Sequence, residues 1–255
     1  MLFCIDIGNT HTHFGRVAPG GQSVAHDQGE LRTAEIEKIG DTLASLSSAA
    51  TPIVGIALCS VVPGATPRAL ASLAKLNLPV WQINHSSELG VPLHYPRPTE
   101  IGQDRLANTA GAVALGAPPV VVIDLGTAVT FDIITRRGGY EGGIIAPGPA
   151  LMTRYLHEHT AQLPLVEDVI TPVTSAIGKS TVEAMRIGAV LGFVGSVQAC
   201  LDRVLEELSE AGEPNARILT SGGASVVVAG RLRQPTDDIP DLTLRGLAAA
   251  WALNP

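Results

Sequence analysis

Apolar residues fall into short runs along the chain, and their spacing sets the predicted elements. Leu2–Ile7 is apolar except at Asp6, which reads as a strand covered on both faces, with Thr12–Val17 as its hairpin partner. Pro19-Gly20-Gly21 marks a turn. Ile36, Ile39, Leu43 and Leu46 then recur at helical spacing within Glu35–Leu46. Ile53–Val62 reads as a strand, Pro67–Leu76 as a helix and Val80–Ile83 as a strand. Gly90–Glu100 holds Pro92, Pro96 and Pro98 and reads as a loop, followed by an alanine-rich helix to about Leu115.

A second series starts at Val120. Val120–Ile123 predicts a buried strand, Asp124–Thr127 a turn, and the residues through Ile134 a β-branched return strand. Tyr140–Ile145 reads as a strand, the stretch through Leu151 and Leu156 as a helix, and Ala161–Pro172 as a connector. A long helix over Ser180–Ala211, a strand at Arg217–Thr220 and a terminal helix at Leu242–Leu253 complete the series. The order indicates an α/β layer fold.

The two series share one design. Aligning Asp6 with Asp124 also aligns Ile5 with Ile123, Gly8 with Gly126 and Thr12 with Thr130. A boundary at Gly116–Pro119 gives expected halves of 1–116 and 117–255, and a cleft between such halves suits a nucleotide phosphate chain. In each turn a glycine lets backbone approach a ligand closely, a carboxylate suits a hard cation, and hydroxyls and N–H groups suit phosphate oxygens.

Composition narrows the choice. The 255 residues are 45% hydrophobic and 16% charged, which supplies a core and argues against long disordered tails. A net charge of −7 and 4% aromatic content argue against nucleic-acid or anionic-membrane partners. Cys4, Cys59 and Cys200 are scattered, as in a chain of free thiols in a reducing compartment. No leader pattern opens the chain, and glycines interrupt its most apolar stretch around Met185–Cys200. A soluble, cytoplasmic protein is expected.

Several motifs fail their physical requirements. Gly178-Lys179-Ser180-Thr181 lacks the earlier glycine and upstream strand of a P-loop. No dinucleotide fingerprint follows the first strand, and no nucleophile elbow is present. The His11/His13 and His157/His159 pairs lack an evident third metal ligand. Asp104-Arg105 at a helix start is of more interest, because arginine can fork onto a carboxylate while aspartate accepts a hydroxyl proton. The glycines of Thr220-Ser221-Gly222-Gly223-Ala224 would let backbone lie flat against a ring such as adenine.

Taken together, Asp6-Ile7-Gly8-Asn9-Thr10, Gly102-Gln103-Asp104-Arg105 with Asn108, and Asp124-Leu125-Gly126-Thr127-Ala128 carry a resemblance. Gly142–Gly148, Thr160–Pro164, Gly178–Thr181 and Thr220–Gly223 extend it over nearly the whole length. The chain resembles the type III pantothenate kinases, of the superfamily that includes acetate and sugar kinases, heat-shock ATPases and actin. His11 stands where that family often has asparagine, and Ser221 where it usually has glycine.

The resemblance implies duplicated actin-like, ribonuclease H-like domains, each a mixed sheet with flanking helices, and ATP-dependent phosphorylation of pantothenate. It implies ATP contacts from Asp6, Ile7, Gly8, Asn9, Thr10, His11, Thr12, His13 and Thr127, with Asp6 also placing Mg²⁺. Asp104 would be the general base, and Tyr95, Gly102, Gln103, Arg105 and Thr181 would help hold pantothenate. Asp124 would ligate a monovalent cation, K⁺ or NH₄⁺, and the chain would form a homodimer. A non-catalytic nucleotide-binding or transcription accessory protein, or a kinase for another small hydroxy acid, are the alternative readings.

Overall fold

A computed structural model describes residues 1–23, 25–46, 52–171 and 173–254. They divide into two compact units. The first holds Met1–Pro118, Arg137–Glu141 and the chain from Asp241 onward; the second holds Pro119–Arg136 and Gly142–Pro240.

In the first unit, β1 (Leu2–Ile7), β2 (His11–Val17), β3 (His26–Arg32), β4 (Gly55–Ser60) and β5 (Val80–Gln82) form a sheet in the order β3-β2-β1-β4-β5. β2 runs antiparallel to both β1 and β3, whereas β4 runs parallel to β1 and β5. Alternation along β1 assigns its two faces. Phe3, Ile5 and Ile7 pack with Ile36, α1 (Ile39–Leu46) and α2 (Thr66–Leu73). Leu2 and Cys4 belong to the cluster that includes Leu106 and Ala110 of α3 (Gln103–Leu115) and Leu247 of α7 (Leu242–Leu253). Each fully buried aliphatic side chain in these layers contributes about 1.5–3 kcal/mol.

The helix expected over Glu35–Leu46 is a 3₁₀ segment, Thr33–Lys38, running into α1. Glu35 leaves helical geometry at φ −106° and ψ 23°, while Ile36, Ile39 and Leu43 still face the core. β3 was not anticipated. Its sequence HDQGELR has no apolar alternation, because it is an edge strand with mostly exposed side chains.

The second unit repeats the arrangement. β6 (Val120–Leu125), β7 (Ala128–Thr135), β8 (Gly139–Pro147), β9 (Arg217–Ser221) and the two-residue β10 (Asp237–Asp238) lie in the order β10-β9-β6-β7-β8. Strand for strand this is the first sheet's order. β6 pairs antiparallel with β7 and parallel with β9, as β1 does with β2 and β4. Val121, Ile123 and Leu125 pack with Val190, Phe193, Val197 and Leu201 of α5 (Thr181–Glu210). α4 (Pro149–His159) also belongs to this unit, as does the single turn α6 (Ser225–Val228).

α5 has the length of a membrane span, with a mean hydropathy of 1.5 over its most apolar window, of which 39% is buried. Its inward stripe is core. The Ser180 hydroxyl accepts from Glu183 N at 3.2 Å and Glu183 Oε2 from Lys179 N at 2.6 Å, so the chain's GKST segment is a capped helix start. Pro172, at the end of the expected connector, lies outside the described residues.

The expected halves counted α7 and residues 137–141 with the second; both fall in the first unit. A side chain on Gly246 of α7 would collide with the Ala107 carbonyl and the Gly111 backbone of α3. The two helices therefore approach at backbone distance. Tyr140 N donates to Pro92 O at 3.0 Å and His94 N to Tyr140 O at 2.9 Å, joining residues 137–141 to the proline-rich loop.

Candidate active site

The first acidic turn is a loop of Gly8, Asn9 and Thr10, closed by Gly8 N donating to His11 O at 3.1 Å. Asp6 sits just before it, half-buried, with His13 as its register partner on β2 and Cys59 on β4. The Cys59 thiol donates to Asp6 Oδ1 at 3.2 Å. Side chains of Asn9, Thr10, His11 and His13 are exposed, while Ile7 is buried and has only backbone to offer a ligand. Thr12 is buried too, with its hydroxyl 3.0 Å from that of Thr33. The Thr33 hydroxyl donates to Gly8 O at 2.6 Å, and Thr33 N donates to Thr10 O at 3.1 Å. Thr33 thus pins the turn from outside it.

Gly102 precedes α3, and Asp104 lies in its first turn, where a carboxylate complements the helix dipole. Asp104 Oδ1 accepts from Arg105 N at 2.8 Å. Burial nevertheless pushes the Asp104 carboxyl above the usual range, against the opposing pull of that N–H and the Arg105 guanidinium. Burial, followed by the charges of Asp6 and Asp104, raises the Cys59 thiol well above its ordinary value. Both carboxylates therefore act on this one sulfur.

Gln103 Oε1 accepts from Ser60 N and from Gln82 Nε2, each at 2.9 Å, which moors the start of α3 to β4 and β5. Arg105 is 8% exposed, its guanidinium carbon 5.8 Å from the Tyr140 ring centroid; Tyr95 lies 6.1 Å from that ring. Asn108 Oδ1 accepts from the Thr243 hydroxyl at 2.8 Å, a tie between α3 and α7.

The second acidic turn is shorter. Only Gly126 and Thr127 separate β6 from β7, with Gly126 N donating to Ala128 O at 3.1 Å. Asp124 is half-buried, with Thr130 as its partner on β7 and Ser221 on β9. Gly148 N donates to Thr127 O at 3.0 Å and Ala224 N to Leu125 O at 2.8 Å. Gly222, at φ +87°, lies against Asp124 Oδ1 and the Leu125 carbonyl, where any side chain would collide. Thr181 is exposed at the first position of α5.

The registers refine the repeat. Asp6 faces His13, whereas Asp124 faces Thr130, so the first turn carries one extra residue. Thr130 is thus the counterpart of His13, and buried Val129 that of buried Thr12.

Among the described residues no group of three or more His, Cys, Asp or Glu side chains could hold a metal. His157 Nδ1 lies 2.8 Å from Leu163 O and His159 Nδ1 3.0 Å from Tyr155 O, both local contacts. A cation held by one carboxylate and phosphate oxygens is a different case, and the half-exposed Asp6 suits Mg²⁺ used in that way. Asp124 Oδ1 and the Leu125 carbonyl both close on Gly222.

Comparison with known proteins bears on these turns directly. A family model described as type III pantothenate kinase matches residues 2–203. The chain belongs to the type III pantothenate kinase family. A type III pantothenate kinase of Methylacidiphilum infernorum is 39% identical over 252 residues, covering 96% of this chain and 86% of that one. One from Akkermansia muciniphila is also 39% identical, covering 98% of both. The fold is shared with a solved ROK family glucokinase from Streptomyces griseus in complex with glucose and AMPPNP. The TM-score is 0.53 at 13% identity, with 97% of each chain covered. This is the actin-like, sugar-kinase fold. In this family member the match takes in both acidic turns and the start of α3, whereas the glycines after β9 lie beyond the matched residues.

Cys59, Thr33 and Tyr140 sit among the predicted site residues without having been singled out in the sequence. Cys59 and Tyr140 lie in stretches that read as strands and Thr33 just before a predicted helix, and the place of each follows from contacts between segments far apart in the chain.

Proposed function

We propose that this chain transfers the γ-phosphoryl group of ATP to the primary hydroxyl of pantothenate, the entry step to coenzyme A, with Asp104 as general base. The supporting observation is Asp104 itself, a half-buried carboxylate at a helix start whose proton affinity is raised by burial. Such a group is better able to accept a hydroxyl proton than an exposed aspartate. As the pantothenate oxygen forms its bond to phosphorus, the bond from phosphorus to the bridging oxygen breaks. ADP leaves and the hydroxyl proton passes to Asp104. Positioning and charge neutralisation carry the rest of the barrier.

In this reading the turn from Asp6 to His13, with the exposed Asn9, Thr10 and His11 side chains, binds ATP phosphates. Thr127 also contacts ATP, Asp6 holds Mg²⁺, and Asp124 takes a potassium or ammonium ion. Mg²⁺ when bound supplies charge neutralisation on the phosphate oxygens. Arg105 and Tyr95 hold pantothenate with Gly102 and Thr181. Gln103 does so through its amide nitrogen, because its oxygen is already moored.

A cytoplasmic homodimer joined through the second unit completes the proposal. It is supported by exposed Tyr155, Leu156, Val182 and Leu191, and by open space over Gly188 and Gly195 of α5.

The test is a coupled ADP-release assay with Mg-ATP and pantothenate, run in potassium and then in sodium buffer. Pantothenate-dependent turnover stimulated by potassium is the expected result. Turnover indifferent to the cation would retire the role of Asp124. Turnover with another hydroxy acid alone, or with none, would overturn the pantothenate assignment.

A further inference from the structure

Thr33 follows β3 and opens the 3₁₀ segment, where it is 4% exposed. Its hydroxyl donates to Gly8 O at 2.6 Å, and a hydroxyl has one proton to give. The 3.0 Å contact between the Thr12 and Thr33 hydroxyls therefore has Thr12 as its donor. The bonds form a directed chain from fully buried Thr12 through Thr33 to the Gly8 carbonyl. In a trans peptide the C=O and the following N–H point in opposite directions. A Gly8 carbonyl drawn toward buried Thr33 thus turns the Asn9 N–H the other way, at an exposed residue of the turn. Gly8 N is spent on His11 O, whereas Asn9 N has no partner among the described residues. We propose that Thr33 is a positioning residue for nucleotide binding, its hydroxyl setting the Gly8–Asn9 peptide so that the Asn9 N–H meets a phosphate oxygen.

The repeat shows that the fold itself does not require these hydroxyls. Val129, the counterpart of Thr12 in the second unit, is 1% exposed and has nearly the same shape without a hydroxyl. There the turn is met by Gly148 N on Thr127 O instead. Thr33 also takes Thr10 O through its own N–H at 3.1 Å, so one residue fixes the carbonyls of both neighbours of Asn9. The proposal rests on the reading of this turn as a phosphate site, and is independent of which hydroxyl compound accepts the phosphoryl group.

The experiment compares the full-length chain with Thr33→Val, Thr33→Ser, Thr12→Val and, as a trimmed core residue of α1, Ile39→Val. Calorimetry reads Mg-ATP affinity, steady-state kinetics read KM for ATP and pantothenate, thermal melts read Tm, and the Asn9 amide NMR signal reads the peptide itself. Thr33→Val keeps the shape and loses the proton, and is expected to weaken Mg-ATP binding by about tenfold. KM for ATP should rise with it, while KM for pantothenate stays within about twofold. Thr33→Ser, which restores the donor, should bind within about threefold of the parent. Thr12→Val should weaken binding by about threefold, since the bond from Thr33 to Gly8 survives. Ile39→Val should lower Tm to a similar degree as Thr33→Val, with parental affinity. The Asn9 amide proton should move downfield on addition of Mg-ATP in the parent and Thr33→Ser, and stay in place in Thr33→Val.

Parental Mg-ATP affinity in folded Thr33→Val would overturn the proposal. So would a serine variant as impaired as valine, a greater loss in Thr12→Val than in Thr33→Val, an equal loss in Ile39→Val, or a parent whose Asn9 amide ATP leaves unmoved. A parent that binds no Mg-ATP would remove the proposal together with the phosphate reading of the turn. If the parent binds Mg-ATP but does not phosphorylate pantothenate, the substrate assignment fails, while calorimetry and the amide signal still decide the role of Thr33.

Discussion

The two acidic turns share a topology and differ in what holds them. The first, Gly8–Thr10, adds side-chain ties to its backbone bonds: the Thr33 hydroxyl on Gly8 O, Thr12 beside Thr33, and the Cys59 thiol on Asp6. Around the second, Gly126–Thr127, distant backbone closes in: Gly148 N on Thr127 O, Ala224 N on Leu125 O, and Gly222 laid against Asp124. A turn held by side chains can be weakened by removing one polar group at a time. A turn held by abutting backbone tolerates most neighbours but fails when a glycine gains a side chain. The first turn also has Asp104 nearby, since both carboxylates act on Cys59.

That asymmetry is broken most severely at Asp104. Asp104→Asn should lower kcat by about a hundredfold or more while ATP affinity stays within about twofold. The acid limb of the pH–rate profile should disappear with it, because the base of the parent enzyme is lost as pH falls through the raised Asp104 pKa. The same substitution should raise Tm at neutral pH. A carboxyl with a raised folded-state pKa favours the fold while protonated, and that contribution is lost as pH rises through the folded value. The Tm gain should therefore shrink toward acid pH; a constant gain, or a retained acid limb, would remove the base assignment.

A smaller effect separates the two turn aspartates. Asp124→Asn should abolish stimulation by potassium and leave the sodium rate within about threefold, whereas Asp6→Asn should lower the rate in both buffers by about tenfold or more. Equal cation responses in the two variants would erase the distinction. Gly222→Ala, which forces φ +87° on an L-residue against Asp124, should cost about 2 kcal/mol in denaturant unfolding. Thr33→Val should cost only about 1 kcal/mol. A larger loss at Thr33 than at Gly222 would reverse the contrast between side-chain and backbone support.

Much of this was legible in the sequence because it is local. The apolar runs around Asp6 and Asp124 announce buried strands, Gly8 and Gly126 announce tight turns, and Ile36, Ile39 and Leu43 mark a buried helical face. What escaped is set by pairing at a distance. β3 has no apolar signal because it is an edge, and the extra residue of the first turn shows only when Asp6 is seen opposite His13. The Cys59 thiol looked like core because nothing near it in sequence reveals the carboxylate across the sheet. Thr12 was expected to face nucleotide, but its hydroxyl turns inward to Thr33.

The packing of α7 on α3 has a consequence for how the chain is made. The strands of the first unit leave the ribosome before the second unit, yet the layer around Leu106 and Ala110 is completed by Leu247 and Ala248, which follow it. Gly246 must reach backbone contact with Ala107 for that layer to close. During synthesis the second unit, encoded between those ends, is finished first and can fold while the first still lacks a helix. Nascent β1, β2 and β4 must therefore wait, with the layer on one face incomplete, until α7 emerges.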